Sequence, residues 1–275
     1  MQSTGKKRNT VDKFYTKSSV AKKLIEIIEK KLNLKGMIIE PSAGNGAFYD
    51  ILKKKFNGCL GYDIEPGKID IFEQDFLKLN LNMGFHIPLN FIGNPPFGRQ
   101  SSTAIKFIKH ICNGKNSKSI SFILPKSFKK DSMKKHFPLN WHLIYEDDVE
   151  ENAFIVNEKE YNVPCVFQIW ERKDYNRPKF QIIEPKGYKF VKKDGKDDVH
   201  IAIRRVGVYA GKLFWDDEEI KNKSSSSHYF IKFDNIDNHI KIMTKYDSSV
   251  WKHNNTVGPK SISKPELVLE LNKLI

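Results

Sequence analysis

Met37-Ile38-Ile39-Glu40-Pro41-Ser42-Ala43-Gly44-Asn45-Gly46 joins a short apolar run, a carboxylate and a turn rich in proline and glycine. Apolar side chains at successive positions read as a buried strand, and the turn that stops it leads into a helix from about Ala47 to Phe56. In an open parallel sheet, ligands sit at the carboxyl ends of the strands, and glycine lets backbone approach a ligand that a Cβ would block. Taken alone, a Gly-x-Gly turn is more often a plain tight turn.

The next strand, Cys59-Leu60-Gly61-Tyr62-Asp63, shifts that balance. Asp63 ends it 23 residues after Glu40, about where a strand-end carboxylate accepts both hydroxyls of a ribose. The full three-glycine phosphate fingerprint is absent, and a negative Glu40 suits an amine- and sulfonium-bearing ligand better than a pyrophosphate. Asp75 ends a third strand-like segment; it is placed either to take a hydrogen bond from an adenine amino group or to be a solvated turn aspartate.

Strand and helix keep alternating on both sides of this stretch. Ser18-Ser19 offers a helix cap, and Val20, Leu24, Ile27, Ile28 and Leu32 recur at helical spacing. Farther on, Leu89 to Gly93, Ile120 to Leu124, Trp141 to Tyr145 and Cys165 to Trp170 read as strands, with Thr103 to Ile111 as a helix. This predicts an α/β fold, a mostly parallel sheet covered by helices on both faces, over residues 1–172. Asp174 to Pro178 reads as a linker. Residues 176–275 then read as a smaller α+β domain, with β-type runs at Val199 to Arg204, Val206 to Tyr209 and His228 to Phe233, a Ser-rich loop at 222–227, and a helical tail from Pro265 to Leu274.

The segment that carries chemistry is Asn94-Pro95-Pro96-Phe97. Two prolines cannot donate to a sheet ladder and fix φ, so they end the preceding strand in a rigid turn. The turn presents the Asn94 amide oxygen, the Pro95 carbonyl and the face of Phe97. Two acceptors suit the two N–H protons of a planar exocyclic amine, and base–aromatic stacking adds about 1–3 kcal/mol.

With these residues quoted, the chain resembles the S-adenosylmethionine-dependent amino-methyltransferases, in particular the N6-adenine methyltransferases of DNA. Asp12-Lys13-Phe14-Tyr15-Thr16-Lys17 is similar to the family's element that precedes the glycine-rich turn, an order that resembles the γ class, although the family often has proline at the place of Lys17. The resemblance covers residues 12–172 and implies a Rossmann-like class I methyltransferase sheet. It implies a cofactor, S-adenosylmethionine, held by Tyr15, Thr16, Glu40, Pro41, Ser42, Gly44, Gly46, Asp63, Ile64, Asp75, Phe76 and Asn94, with Asn94, Pro95, Pro96 and Phe97 as the catalytic turn. Adenine in DNA is the expected acceptor, flipped out of its duplex. The alternatives are adenine in ribosomal RNA or next to an mRNA cap, a glutamine side chain in a protein, and a nucleic-acid-binding protein of this fold without activity. Arg99 is placed to touch the substrate backbone. Lys126, with Lys129, Lys130, Lys134 and Lys135, either meets phosphates or is a solvated face, and Phe154 either packs over the flipped base or joins the core.

Charge agrees with a polyanionic partner, and the resemblance implies DNA in preference to RNA. The 275 residues carry 47 Lys and Arg against 33 Asp and Glu, a net +14. The excess is +7 over residues 1–35, +1 over 36–175 and +6 over 176–275, so the two flanks are expected to grip phosphates. Abundant Lys, Asn and Ile would also follow from an AT-rich genome. The three cysteines are far apart, and no Cys/His cluster has zinc spacing, which argues against a disulfide framework or a bound metal. No apolar run reaches the roughly 18–20 residues of a membrane span, and Met1 to Arg8 lacks a signal-like stretch, so a soluble intracellular protein is expected.

Overall fold

The computed structural model describes residues 14–179, 183–192, 198–251 and 260–275. The polar N-terminal arm, including Asp12 and Lys13, lies outside the described residues. The chain divides into two compact units, 1–179 and 180–275. No helix among the described residues is long and apolar enough to cross a membrane.

In the first unit the strands are β1 (Tyr15–Thr16), β2 (Met37–Glu40), β3 (Cys59–Asp63), β4 (Phe72–Glu73), β5 (Leu89–Gly93), β6 (Ser117–Pro125), β7 (Trp141–Asp148), β8 (Phe154–Val156), β9 (Lys159–Tyr161) and β10 (Cys165–Arg172). The helices are α1 (Ser18–Lys31), α2 (Tyr49–Lys55), α3 (Ser102–Cys112) and the single turn α4 (Asp131–Lys134). Seven strands form one sheet in the order β4-β3-β2-β5-β6-β10-β7. β4, β3, β2, β5 and β6 pair in parallel, while β10 lies antiparallel between β6 and β7. A parallel sheet that reverses its order beside the first strand and ends with an inserted antiparallel strand is the Rossmann-like class I methyltransferase sheet.

Alternation along each strand builds a core on both faces. Ile39, Phe91, Phe122 and Leu124 pack with Phe107, Ile108 and Ile111 of α3. Their neighbours Ile38, Ile92 and Ile123 pack on the opposite face with Val20, Leu24 and Ile28 of α1 and Leu52 of α2. Burial of each such side chain contributes about 1.5–3 kcal/mol, so the sheet holds its strand ends rigidly. The expected serine cap of α1 is not formed. Lys17 stands at the N-cap with no side-chain bond to the helix end, its backbone N–H donating to the Ala153 carbonyl and its ammonium pairing with Glu160.

A second small sheet, β1-β8-β9, was not legible in the sequence. It pairs Tyr15 with Ile155 and Thr16 with Phe154, which straps the segment before α1 to the hairpin before β10. The stretch read as a linker is also part of the first unit. Arg177 donates from Nε to the Trp141 carbonyl, and the Lys173 N–H donates to Asn140, so the division falls after residue 179 instead of at 172–176.

The second unit has a four-stranded antiparallel sheet, β11 (Tyr188–Val191), β14 (His228–Phe233), β12 (Ile201–Arg204) and β13 (Leu213–Phe214) in spatial order, with α5 (Asp217–Lys221), α6 (Ile236–Lys245) and α7 (Lys264–Asn272). Val206 to Tyr209, expected to be β-type, is a turn instead: Val206 makes one isolated bridge to Ser261, and Gly207 has φ +92°.

Candidate active site

β2 and β5 are neighbours, with β3 beyond one and β6 beyond the other, so the chain leaves their carboxyl ends toward opposite sides and a crevice opens between the loops. A cavity of about 270 Å³ occupies it. Tyr15, Thr16, Glu40, Pro41, Ser42, Gly44, Asp63, Ile64, Asp75, Phe76, Asn94, Pro95, Pro96 and Phe97 all line this one cavity, though they come from five separate stretches of chain.

Backbone shape explains how the turn after β2 meets β3. Gly44 has φ +50°, its N–H donates to Asp63 Oδ2 at 2.7 Å, and a Cβ there would lie 3.1 Å from the Tyr15 ring. The other Asp63 oxygen accepts from the Glu65 N–H at 2.9 Å. With one backbone donor on each oxygen, Asp63 is held rigidly at the cavity wall and retains lone pairs for a diol. Gly46 is not a wall residue. It has φ +82°, donates to the Ala43 carbonyl and accepts from the Asp50 N–H, so its role is to shape the entry to α2.

Glu40 is only 2% exposed, and its Oε2 is buried with no hydrogen-bond partner among the described residues. Burial pushes its carboxyl well above the ordinary range; the Tyr49 backbone N–H partly offsets this, and Asp63 and Asp50 add to the rise. Such a group is costly unless a donor or cation comes to it.

Asn94 shows the same feature. Its Nδ2 donates to the Phe14 carbonyl at 3.0 Å, which fixes the amide orientation, and its Oδ1 is buried without a partner. Thr16 Oγ1 is a third unpartnered buried atom on the cavity wall. Buried polar groups are almost always paired in folded proteins, and three of the unpartnered ones among the described residues belong to lining residues of this one cavity, a set suited to a polar ligand. Asp75 accepts from the Leu77 N–H at 3.0 Å and caps the turn over Phe76 to Lys78, which sets that wall.

Phe97 is 4% exposed because Phe14 lies against it, with ring centroids 6.2 Å apart at 31°. Phe14 in turn stacks on the half-exposed Tyr161 at 5.6 Å and 21°. The expected stacking face of Phe97 is therefore covered by a ring from the strap. After the turn, Gln100 and Ser101 both adopt left-handed φ, +53° and +63°, which costs non-glycine residues about 1–2 kcal/mol each. Strain of this kind gathers at functional sites.

Four residues weighed for substrate contact lie outside this cavity wall. Phe154 is fully buried beneath Phe14, at 6.2 Å, and belongs to the core. Lys126 and Lys129 both pair with Asp148, at 2.8 and 2.6 Å, so neither lines the cavity. Arg99 is exposed beside the turn but is not in the cavity wall. Sequence reasoning missed Gln74, Thr103 and Phe107, which also line it. For the last two the signal was available: α3 begins just after the Asn-Pro-Pro-Phe turn, so its first turns must border the same crevice.

No family model matches the sequence, and no curated protein matches it. Among solved structures, the chain is similar to the 23S rRNA methyltransferase ErmE at 16% identity, with 59% of this chain and 71% of that one covered and a TM-score of 0.43. A proposed RNA methyltransferase from Pyrococcus horikoshii gives 14% identity, 60% and 91% coverage and a TM-score of 0.45. The modification subunit of a proposed type I restriction enzyme from Vibrio vulnificus YJ016 gives 13% identity, 90% and 63% coverage and a TM-score of 0.44.

Proposed function

We propose that this chain is an S-adenosylmethionine-dependent methyltransferase that acts on the exocyclic N6 amine of adenine in DNA. The observation that carries the reading is the buried, unpartnered Asn94 Oδ1, aimed by the bond from its own Nδ2 to the Phe14 carbonyl, at the wall of the cavity that also holds the unpartnered Glu40 Oε2. The donor set fits the cofactor. Glu40 and Thr16 suit an ammonium and a carboxylate, Asp63 a ribose diol, and Asp75 with Phe76 an adenine. When bound, S-adenosylmethionine supplies a methyl group made electrophilic by its sulfonium.

An aromatic amine is a poor nucleophile because its lone pair is delocalised into the ring. Asn94 Oδ1 accepts one of its N–H groups and the Pro95 carbonyl the other, which favours a pyramidal nitrogen and frees the lone pair. Pro95 and Pro96 keep the two acceptors from swinging apart. Phe97 offers an apolar face to the ring once Phe14 yields its place, which offsets part of the few kcal/mol needed to flip a base. The sequence resemblance supplies the choice of adenine in DNA; the geometry supports the amine.

Purified protein, labelled methyl donor and three acceptors, duplex DNA, single-stranded DNA and RNA, test this directly. Nucleoside analysis should return N6-methyldeoxyadenosine, and Asn94→Ala should lower the rate by at least about 100-fold. A product confined to RNA rejects DNA as substrate, and label in none of the three rejects the nucleic-acid reading.

A further inference from the structure

We propose that the second unit carries a phosphate-binding concavity for a nucleic-acid strand, formed by Lys192 and Lys264 around the rings of Phe190 and Tyr229, with Arg205 lying over Tyr229. The proposal rests on the reading of the chain as a nucleic-acid methyltransferase and adds to it a place where the strand is held.

The concavity follows from a step in the sheet. β11 stops at Val191, opposite Phe230, whereas β14 extends past that point through Tyr229 and His228, paired there only with β12. Among the described residues no strand pairs with β14 on that side beyond Phe230, and a cavity of about 500 Å³ lies there. Ligand sites span about 300–1,000 Å³. Lys192, Lys264, Phe190, Tyr229 and Ser225 line it, and no carboxylate is among its described lining residues.

Two of the cations here lie over rings. The Lys264 ammonium sits 4.3 Å from the Phe190 ring centroid, and the Arg205 guanidinium 5.5 Å from that of Tyr229. The Arg205 Nε is buried with no hydrogen-bond partner among the described residues. Elsewhere in this unit three lysines pair with acids, Lys221 with Glu218, Lys232 with Asp198 and Lys273 with Glu270, while Lys212 and Lys223 lie over Phe214. Among the described residues Lys192, Lys264 and Arg205 make no such pair. Glu266, whose field reaches Tyr229, is already held by the Ser263 N–H and hydroxyl. A ring attracts a cation but accepts few of its N–H groups, so the donors remain for an anion.

The Ser-rich run finds its use here. Ser224 and Ser226 bond each other and Ser227 bonds His228, while Ser225 faces the cavity. Clustered cations with a hydroxyl and two aromatic faces are the combination that tracks a phosphate backbone while bases or sugars rest on the rings.

The full chain carrying Lys192→Ala and Lys264→Ala, beside wild type and a Lys221→Ala/Lys273→Ala control, tests this. A fluorescent oligonucleotide is titrated over a series of salt concentrations, with inorganic phosphate as a second probe. Loss of two phosphate contacts should weaken binding about tenfold or more and make the slope of log affinity against log salt shallower by about 1.4–1.8. The control should change neither, and melting profiles and S-adenosylmethionine binding should match in all three proteins. An unchanged slope in the Lys192/Lys264 variant, with wild type binding and methylating the strand, overturns this proposal alone. Loss of inorganic phosphate binding with the slope preserved also overturns it, because the cavity would then take small free anions. A wild-type chain that binds no oligonucleotide overturns both this proposal and the nucleic-acid reading.

Discussion

Glu40 is where residue-scale physics bears most directly on binding. The unfolded carboxyl loses its proton near the ordinary 4.5, while burial holds the folded one well above that. Between those two values the native state binds more protons than the unfolded state, so this group's stabilising effect is full below the unfolded value. It is lost as pH rises through the folded one. A cation placed beside Glu40 reverses the preference and drives the proton off. Calorimetric titration of S-adenosylmethionine, run between about pH 5 and 8 in buffers of different ionisation enthalpy, should therefore show proton release. Glu40→Gln should abolish the release, weaken binding by about tenfold or more, and raise the stability of the ligand-free protein at neutral pH. Release that persists in Glu40→Gln would place the titrating group elsewhere. The sequence showed this residue's sign and position; its exclusion from water depends on Gly93, where a Cβ would meet Glu40 Cγ at 3.1 Å.

At the scale of elements, the β1-β8-β9 strap places two walls of the site. It carries Phe14 onto Phe97, brings the Phe14 carbonyl to Asn94, and sets its own Phe154 against Phe14. Phe154 was expected either over the base or in the core, and the strap decides for the core. Phe154→Ala should then cost about 3–5 kcal/mol in chemical denaturation. Phe154→Leu, which keeps most of the volume, should lower the melting temperature while leaving the rate per folded molecule within a few-fold. A large fall in that rate for Phe154→Leu, with stability intact, would return the residue to the substrate side. None of this could be read along the chain. β1 and β8 have two and three residues, too short for a periodic signal, and their pairing joins positions about 140 apart.

For the whole molecule, the +14 acquires a distribution of partners as well as of sequence. In the first unit, lysines pair with carboxylates, among them Lys23 with Glu150, Lys53 with Asp70, Lys55 with Glu29 and Lys134 with Glu146. In the second, Arg205, Lys212 and Lys264 lie over Tyr229, Phe214 and Phe190. Exposed ion pairs add little stability, about 0–1 kcal/mol, but they do cancel charge that would otherwise attract phosphate. Lys232, paired with Asp198, belongs with the cancelled set. Removal of residues 180–275, cut after Lys179 so that Arg177 keeps its place on β7, should weaken oligonucleotide binding and flatten its salt dependence. S-adenosylmethionine affinity should stay within a few-fold. An equal loss of both would show that the second unit supports the first instead of gripping the strand.

The sequence by itself determined the order of the main sheet's longer strands and of the helices α1 to α3, the turn after Glu40 and the rigid acceptor turn at Asn94, because these depend on local periodicity and on what proline and glycine permit. It also placed Asp63 at the end of its strand, whereas Asp75 lies two residues past β4, where it caps the turn over Phe76 to Lys78. Only the tertiary structure decided which polar atoms are left without partners, that Phe97 lies under Phe14, and that Lys126 is neutralised by Asp148. Those outcomes depend on burial and on pairing between distant segments, and neither quantity exists until the strands have been laid side by side.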